Sequence, residues 1–225
     1  GGSGKTNYYL SGALLDQQGL IRYGRDTFKR YNLTAKISTD ITPWLTISYT
    51  NRWSRDEYSR PSYMTGLFFH NIARRWPTNP VRDINGHLIP GNETIQMRDG
   101  GIDRNQKDRV NQQLILEARP MEGLLVRAEN NYNTTYNHNH WDVLAIYSYD
   151  NKGLPRLTSR EGGDDGQTSV HESTWKNDYF NGRYYAEYSR IFAEKHDVKV
   201  ISGLDLEVNK YHDLGGTKKD LISNA

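Results

Sequence analysis

The chain alternates between apolar and polar side chains over several long stretches, the clearest of which runs from Thr27 to Trp53. One set of alternate positions is apolar or aromatic and the other is polar: Tyr31, Leu33, Ala35, Ile37, Leu45, Ile47, Tyr49 and Trp53 against Arg30, Asn32, Thr34, Lys36, Ser38, Thr46, Ser48, Thr50 and Arg52. A period of two with β-branched and aromatic residues predicts β-strands. The short interruption at Asp40–Pro43 predicts a turn that joins two antiparallel strands as a hairpin.

Five further stretches alternate in the same way, so the sequence predicts roughly seven strands. They cover about Lys5–Asp16, Asp108–Arg119, Leu124–Tyr136, Asp178–Ile191 and Asp197–Asn209. In the last four strands, the apolar positions that share one face are Val110, Leu114, Leu116 and Ala118; Leu124, Val126, Ala128, Tyr132 and Tyr136; Phe180, Tyr184, Ala186 and Tyr188; and Val198, Val200, Leu204, Leu206 and Val208. The other face of each strand is mainly polar.

The predicted strands are joined by two kinds of connection. Tight turns are expected near residues 40–43, 120–123 and 193–196, and they alternate with long polar stretches at about 54–106 and 139–174. Because antiparallel strands run up and down, all tight turns lie at one end of the sheet and all long loops lie at the other. Loops longer than about 12–15 residues are uncommon in compact domains, and they are usually functional or disordered.

This arrangement predicts an all-β fold, an antiparallel up-and-down transmembrane β-barrel segment with short periplasmic turns and long extracellular loops. In lipid every backbone polar group must be paired, and a closed barrel pairs them without leaving free edges. The apolar face is then expected to contact lipid, and the polar face is expected to line the lumen. Aromatic residues near the strand ends are expected at the membrane interfaces: Tyr31, Trp44, Trp53, Tyr132, Tyr136, Tyr184 and Tyr188.

The composition agrees with a sheet that has one thin apolar layer. Only 35% of the 225 residues are hydrophobic, the mean hydropathy is −0.86, and the chain contains 16 Tyr. A net charge of +2 without a block of Lys or Arg argues against nucleic acid as a partner. The absence of Cys excludes disulfides and Cys-based metal sites. No apolar run approaches the length of a transmembrane helix.

A soluble antiparallel sandwich is the alternative fold, and it would make the protein an extracellular carbohydrate-binding or adhesion module. This alternative has to explain a Tyr-rich inner face and long loops that cluster at one end. The two hypotheses differ in the solvent that the apolar face meets. Recovery of the protein in the soluble fraction without detergent would contradict the barrel.

Two runs of sequence resemble the SusC/RagA-like TonB-dependent transporters of Bacteroidetes outer membranes. They are GGSGKTNYYLSGALLDQQGL at the start of the chain and FKRYNLTAKISTDITPWLTISYTNRW in the hairpin. The matching positions are Lys5, Thr6, Asn7, Tyr8, Tyr9, Gln18, Gly19, Phe28, Arg30, Tyr31, Asn32, Trp44 and Leu45. The resemblance is specific over about residues 1–55, and beyond them it rests on the succession of strands and loops.

The resemblance implies a nutrient importer in the cell outer membrane. Members of this family are 22-stranded barrels that contain a plug, carry a SusD-like surface lipoprotein as a lid, and import glycans or peptides with energy supplied through TonB. Residues 1–225 are accordingly expected to form part of such a barrel, with the plug domain, the TonB box and the C-terminal strands outside them. The implied partners are the lid lipoprotein, TonB, outer-membrane lipid and an oligosaccharide or peptide substrate.

The candidate substrate-binding residues lie mainly in the first long loop. They are Phe68, Phe69, His70, Arg74, Arg75 and Trp76, with Trp141 in the second long loop. Aromatic rings stack on sugars, and guanidinium groups pair with carboxylates or donate to hydroxyls, so the same set suits glycans and peptides. The structural alternative is that the two Phe residues pack a small loop core and that Trp76 ends a helix over Met64–Trp76, before Pro77. Trp141 and Tyr147, both in the second long loop, are weaker candidates that could equally contact a lid protein.

The sequence predicts no metal site, no cofactor and no enzymatic activity. His138 and His140 share one side of a strand end, but no third ligand is implied by the spacing, so a pair of interfacial histidines is favoured. Glu161, Asp164 and Asp165 lie in a Gly-rich stretch whose acidic residues are expected to be solvated rather than bound to calcium. Asp83–Gly86 is predicted to be a turn.

Overall fold

The computed structural model describes residues 1–24, 26–78, 80–89, 93–150, 152–158 and 168–221. The strands are β1 (Gly2–Ser3), β2 (Thr6–Gln18), β3 (Thr27–Thr42), β4 (Leu45–Pro61), β5 (Ile102–Met121), β6 (Leu124–Val143), β7 (Ile146–Tyr149), β8 (Pro155–Thr158), β9 (Ser169–Phe192) and β10 (His196–Lys219). The helices are α1 (Gly66–Arg74) and α2 (Glu93–Asp99). Within the described ranges, neither helix is long and apolar enough to cross a membrane.

Eight strands form one antiparallel sheet in the order β1-β2-β3-β4-β5-β6-β9-β10, which confirms the predicted all-β, up-and-down fold. Strands β7 and β8 pair separately as a small hairpin. The short turns, at residues 4–5, 43–44, 122–123 and 193–195, lie at one end of the sheet, here called the turn end. The longer connections, at residues 19–26, 62–101 and 144–168, lie at the opposite end, here called the loop end.

The strands are longer than the alternation predicted, so the prediction of irregular stretches over residues 54–106 and 139–174 was too wide. β4 continues to Pro61, and β5 begins at Ile102. Near the loop end polar residues occupy both faces, and Arg55, for example, pairs with Asp108. The backbone ladder therefore continues where the apolar alternation stops, because backbone pairing does not depend on which side chains are apolar.

Smaller predicted elements are present with adjusted limits. The helix expected over residues 64–76 is α1, and the turn at Asp83–Gly86 closes a small hairpin with a bridge between Arg82 and Leu88. The turn expected over residues 40–43 is tighter, because β3 continues through an irregularity to Thr42.

The register places the predicted apolar positions of the strands on one face of the sheet. Directly paired residues share a face, so each row of pairs can be followed from strand to strand. One such row contains Ile37, Tyr49, Leu114, Asn130, Gly182 and Leu206. This face is called the apolar face below, and the opposite one is called the polar face. The assignment of faces made from the alternation is confirmed.

The apolar runs form a band that is staggered across the sheet. The run in β3 spans Tyr31–Ile37, centred on Thr34, and the run in β10 spans Val198–Val208, centred on Gly203. The row of pairs through Thr34 reaches β10 at Asn209, which is six residues beyond Gly203 (209 minus 203). Five strand-to-strand steps separate β3 from β10. With a rise of about 3.3 Å and a strand spacing of about 4.8 Å, this stagger corresponds to a strand tilt of about 40°, within the range of closed barrels.

One polar side chain inside the apolar band has a dedicated partner. The Tyr184 hydroxyl donates a 2.5 Å hydrogen bond to the side-chain oxygen of Asn130, on the neighbouring strand. The ring of Tyr184 lies against Gly182, where an added Cβ would be 2.8 Å from the hydroxyl oxygen. A glycine weakens a strand interior, so its position here is explained by the room it leaves for the tyrosine ring.

A small apolar core lies in the loops. Its buried members are Tyr63, Phe68, Leu88, Ile95, Met97 and Ile146. The connection 62–101 and the β7–β8 hairpin, which together supply this core, are called the loop layer below. Gly101 has a φ of 109°, and a Cβ at this position would collide with the backbone oxygen of Asp142. Glycine is therefore required where the loop layer joins the ends of β5 and β6.

Candidate functional site

A network of charged side chains crosses the polar face. Arg30 approaches Asp56 with its Nε 2.6 Å from one carboxylate oxygen, and Arg109 donates to the other oxygen at 2.9 Å. Asp56 lies on β4 between these two guanidinium groups, and only 8% of its surface is exposed. Because the carboxylate is held from both sides by charge-assisted hydrogen bonds, it is a fixed feature of this face.

Aromatic rings gather on the polar face near the loop end. Trp175 of β9 stacks on Tyr211 of β10 with ring centroids 6.1 Å apart. The Lys107 ammonium lies 5.1 Å from the centroid of the Trp175 ring, and Asn137 is buried on the strand between them. Cation–π contact and stacking together fix the orientation of the indole.

A second stacked pair lies further toward the loop end of the same face. Trp141 of β6 pairs directly with His171 of β9, and their rings stack with centroids 4.2 Å apart. Asn177 pairs directly with Tyr211 of the first stacked pair, and its buried side-chain oxygen accepts no hydrogen bond from the described residues. Trp141, His171, Trp175, Tyr211 and Lys107 are called the aromatic cluster below. It offers flat apolar surfaces on the polar face.

The predicted residues of the first long loop are divided between the core and the surface of the loop layer. Phe68 is buried in the core, and its ring contacts that of Phe69 edge-on at 5.2 Å. Phe69, His70 and Trp76 are exposed, with 75% of Trp76 accessible. Phe68 therefore packs the loop core, as the structural alternative proposed. The rest of that alternative is wrong, because Phe69 is exposed and α1 ends at Arg74, before Trp76.

Both predicted arginines have partners inside the loop layer. Arg75 contacts Glu93 with its Nη2 2.6 Å from a carboxylate oxygen, and Glu93 is buried. Arg74 donates to the side-chain oxygen of Asn71 at 2.9 Å. Arg75 and Glu93 line a cavity of about 420 Å³ together with apolar residues of α1, α2 and the β2–β3 connection. A largely apolar cavity with one ion pair suits an apolar group that carries a polar end.

Two turns of the loop layer are organised by aspartates. The backbone N–H groups of Leu154 and Lys152 donate to Asp150 at 3.0 and 2.9 Å, and they hold the pKa of its carboxyl below the usual value. For Asp83, burial acts to raise the pKa, but hydrogen bonds from His87 and Asn85 outweigh it and lower the pKa. Tyr147, a weaker candidate, is exposed on β7 of this layer.

The histidine pair lies on the apolar-face side of the sheet, beyond the band. His138 and His140 both approach the Glu172 carboxylate, at 2.8 and 2.5 Å. The two rings share one side, as predicted. Across the described ranges, no group of three or more His, Cys, Asp or Glu residues is arranged to hold a metal ion. Glu161, Asp164 and Asp165 lie outside the described residues.

The structure separates the candidate residues into two places. Trp141 lies in the aromatic cluster, whereas Phe68, Phe69, His70, Arg74, Arg75 and Trp76 belong to the loop layer. Sequence reasoning did not identify Lys107, His171, Trp175 and Tyr211 as candidates. These residues are far apart in the chain, and the register of four strands (β5, β6, β9 and β10) brings them together.

No protein-family model matches the chain, and neither does any curated protein. Among solved structures it is similar to a chain of the RagAB peptide importer in the closed-closed state, with a TM-score of 0.73 and 18% identity over 99% of this chain. The open-open state of the same importer gives a TM-score of 0.70 at 18% identity over 96% of this chain. A structure of the RagAB peptide transporter gives 0.68 at 17% identity over 100%.

These similarities establish the fold. The matched regions cover 25%, 24% and 25% of the three solved chains, so this chain spans about a quarter of their length. The sheet therefore has the fold of part of a β-barrel, in agreement with the stagger of its apolar band. The three neighbours are named as a peptide importer or a peptide transporter.

Proposed function

We propose that this chain is part of a SusC-like, TonB-dependent nutrient importer of the bacterial outer membrane. The observation that carries the proposal is the staggered apolar band, because a strand tilt of about 40° is what a closed barrel requires. In this account the apolar face contacts lipid and the polar face lines the lumen. The turn end is periplasmic, and the loop end is extracellular.

The exposure of the apolar face argues against the soluble module. Leu10 and Leu204 are 70% and 57% exposed, and no second layer of the described residues covers this face. Monomeric soluble proteins rarely expose an apolar surface that is continuous over several strands. Lipid explains the exposure, whereas a two-layer sandwich would bury these side chains between its sheets.

The substrate that we propose is a peptide, with an oligosaccharide as the second candidate. A peptide substrate agrees with the structural neighbours, which are named as chains of a peptide importer. The stacked rings of Trp141 and Trp175 support the second candidate, because indole faces also bind sugar rings. The aromatic cluster is proposed to contact the substrate in the lumen.

The loop layer is proposed to contact a SusD-like lipoprotein lid. Leu67, Phe69, Ile72 and Trp76 expose apolar surface along α1 and just after it. The structural neighbours are chains of an importer named as a two-part assembly, RagAB, which agrees with a partner at this end. TonB is proposed to engage another part of the full transporter.

Fractionation and uptake test this function. The full transporter should remain in the membrane fraction until detergent is added, and cells that express it with its lid should accumulate labelled peptides. Cells that lack it should not. Recovery of the protein in the soluble fraction would contradict the membrane assignment, whereas uptake of oligosaccharides without peptides would replace the substrate and leave the transporter assignment in place.

A further inference from the structure

A polar cavity of about 530 Å³ opens on the apolar-face side of the sheet. Eight of the residues that line it belong to that face: Thr27, Lys29, Glu57, Ser59, Arg104, Gln106, His138 and His140. They form two adjacent rows of pairs across β3, β4, β5 and β6. The cavity is therefore on the side of the sheet that carries the apolar band, and away from the aromatic cluster.

The position of the cavity relative to the apolar band determines the depth of the cavity in the membrane. Tyr31 and Tyr136 are the last aromatic residues of the apolar face in β3 and β6, and Lys29 and His138 follow two residues later toward the loop end. Two residues correspond to about 7 Å along a strand. The near edge of the cavity therefore lies within about 7 Å of aromatic residues that are expected at the membrane interface, which is the level of lipid headgroups.

The lining of the cavity combines cations with hydrogen-bonding groups. Arg104 is exposed and forms no salt bridge with a carboxylate of the described residues, so its guanidinium is available for bidentate contact with a phosphate. The Lys29 ammonium lies 3.4 Å from Asp16, and both side chains remain about half exposed. The hydroxyls of Thr27 and Ser59 add neutral donors and acceptors.

The remaining polar residues limit what the cavity can accept. His138 and His140 both form hydrogen bonds with the Glu172 carboxylate. They line one side of the cavity, and the ring nitrogens in these bonds are not available to a ligand. Glu57 opposes an anion, but together with Gln106 it can accept hydrogen bonds from sugar hydroxyls. A volume of about 530 Å³ is also much larger than a single phosphate needs.

We propose that this cavity binds the phosphorylated sugar headgroup of an outer-leaflet glycolipid. Arg104 and Lys29 contact the phosphate, and Ser59, Thr27, Glu57 and Gln106 contact sugar hydroxyls. The inference rests on the proposed function, because it requires the apolar face to contact lipid. The bound headgroup lies on the outside of the barrel and takes no part in substrate passage.

The test measures binding of diphosphoryl lipid A to the detergent-solubilised full transporter by native mass spectrometry. Lys29→Gln combined with Arg104→Gln should weaken binding about thirtyfold, because each cation near a lipid surface contributes a factor of about five to the affinity. The pair Lys29→Arg and Arg104→Lys keeps both charges and should retain most of the affinity. Glu57→Gln removes the opposing charge and should strengthen binding severalfold.

A matched control removes two cations at the other end of the sheet. Lys5→Gln combined with Lys195→Gln, in two exposed turns of the turn end, should leave lipid A binding as in the wild type. If both double variants lose the same affinity for lipid A, the loss is caused by the change in net charge and the proposal is wrong. It is also wrong if binding is unchanged in the Lys29→Gln, Arg104→Gln variant, or if an equal concentration of inorganic phosphate displaces lipid A.

Failure of the headgroup site can be distinguished from failure of the proposed function. A separate measurement of lipid contact on the apolar face of β10 tests the orientation of the sheet. If Leu206 contacts lipid and the Gln variants still bind lipid A normally, the headgroup site is wrong and the transporter assignment stands. If Leu206 does not contact lipid, both are wrong.

Discussion

Tyr211 stacks on Trp175, with ring centroids 6.1 Å apart and ring planes 28° from parallel. The two residues lie on neighbouring strands and 36 positions apart in the chain (211 minus 175), so the contact depends on the register of β9 with β10. A third strand contributes Lys107, whose ammonium faces the same indole. The orientation of Trp175 is therefore fixed before any substrate arrives, which reduces the entropy that binding would cost.

Removing the indole should weaken substrate binding without unfolding the sheet. Trp175→Ala is expected to lower the affinity of the full transporter and its lid for peptide about three- to tenfold, the range for loss of one aromatic contact. Trp175→Phe keeps a ring and should lose much less. Isothermal titration with a defined peptide measures both variants. If the Ala variant and the wild type bind the peptide with equal affinity, the aromatic cluster is not part of the binding site.

The Tyr184–Asn130 hydrogen bond gives a prediction about stability. Gly182→Ala should displace the Tyr184 ring and leave the Asn130 amide unpaired in the apolar band, at a cost of about 1–3 kcal/mol in the free energy of unfolding. Asn130→Leu removes the polar group, and it should make Gly182→Ala much less costly when the two are combined. Denaturant titration of the reconstituted transporter measures all three variants. Additive effects would show that the hydrogen bond is not the cause.

Asp56 should be more sensitive to substitution than its position on a polar face suggests. Asp56→Ala leaves Arg30 and Arg109 facing each other without the carboxylate that separates them, and it should destabilise the barrel by about 1.5–3 kcal/mol. Arg109→Gln leaves the Arg30–Asp56 pair in place and should cost less. The same denaturant titration applies. A smaller effect for Asp56→Ala than for Arg109→Gln would contradict the bridging role.

The β7–β8 hairpin should depend on the ionised form of Asp150. Since its pKa is lowered in the folded loop, the carboxylate stabilises the hairpin at any pH above its ordinary pKa, and this contribution is lost as the pH falls through the lowered value. Protection of the Lys152 and Leu154 amides from hydrogen exchange should therefore be unaffected by pH changes between neutrality and pH 5. Asp150→Ala should reduce this protection at neutral pH. Unchanged protection in that variant would exclude the role of the carboxylate.

The faces of the strands could be read from the sequence, because a period of two is a local property of the chain. Leu204, Leu206 and Val208 were assigned to one face by alternation, and their pairing partners place them there. The strand ends could not be read in the same way. Arg55 and Asp108 continue the ladder with a charge pair, which gives no apolar pattern to follow.

The candidate site was only partly accessible to sequence reasoning. Phe68, Arg75 and Trp76 attracted attention because aromatic and guanidinium groups are dense in that stretch, but the loop layer uses Phe68 and Arg75 internally. Trp175 and Tyr211 were overlooked because both lie just outside the predicted strands, which covered about Asp178–Ile191 and Asp197–Asn209. Alternation assigns a residue to a face, but it does not specify which residues of other strands lie beside it.

The most direct test of the account is a spin-label scan along β10 of the full transporter in lipid bilayers. Single cysteines are introduced at each position from Leu204 to Val208, and the accessibility of the labels to oxygen and to a water-soluble nickel chelate is measured. We predict that oxygen accessibility peaks at Leu204, Leu206 and Val208, with minima at Asp205 and Glu207, because only the first set faces lipid. Equal accessibility at all five positions, or maxima at Asp205 and Glu207, would contradict the lipid-facing apolar band.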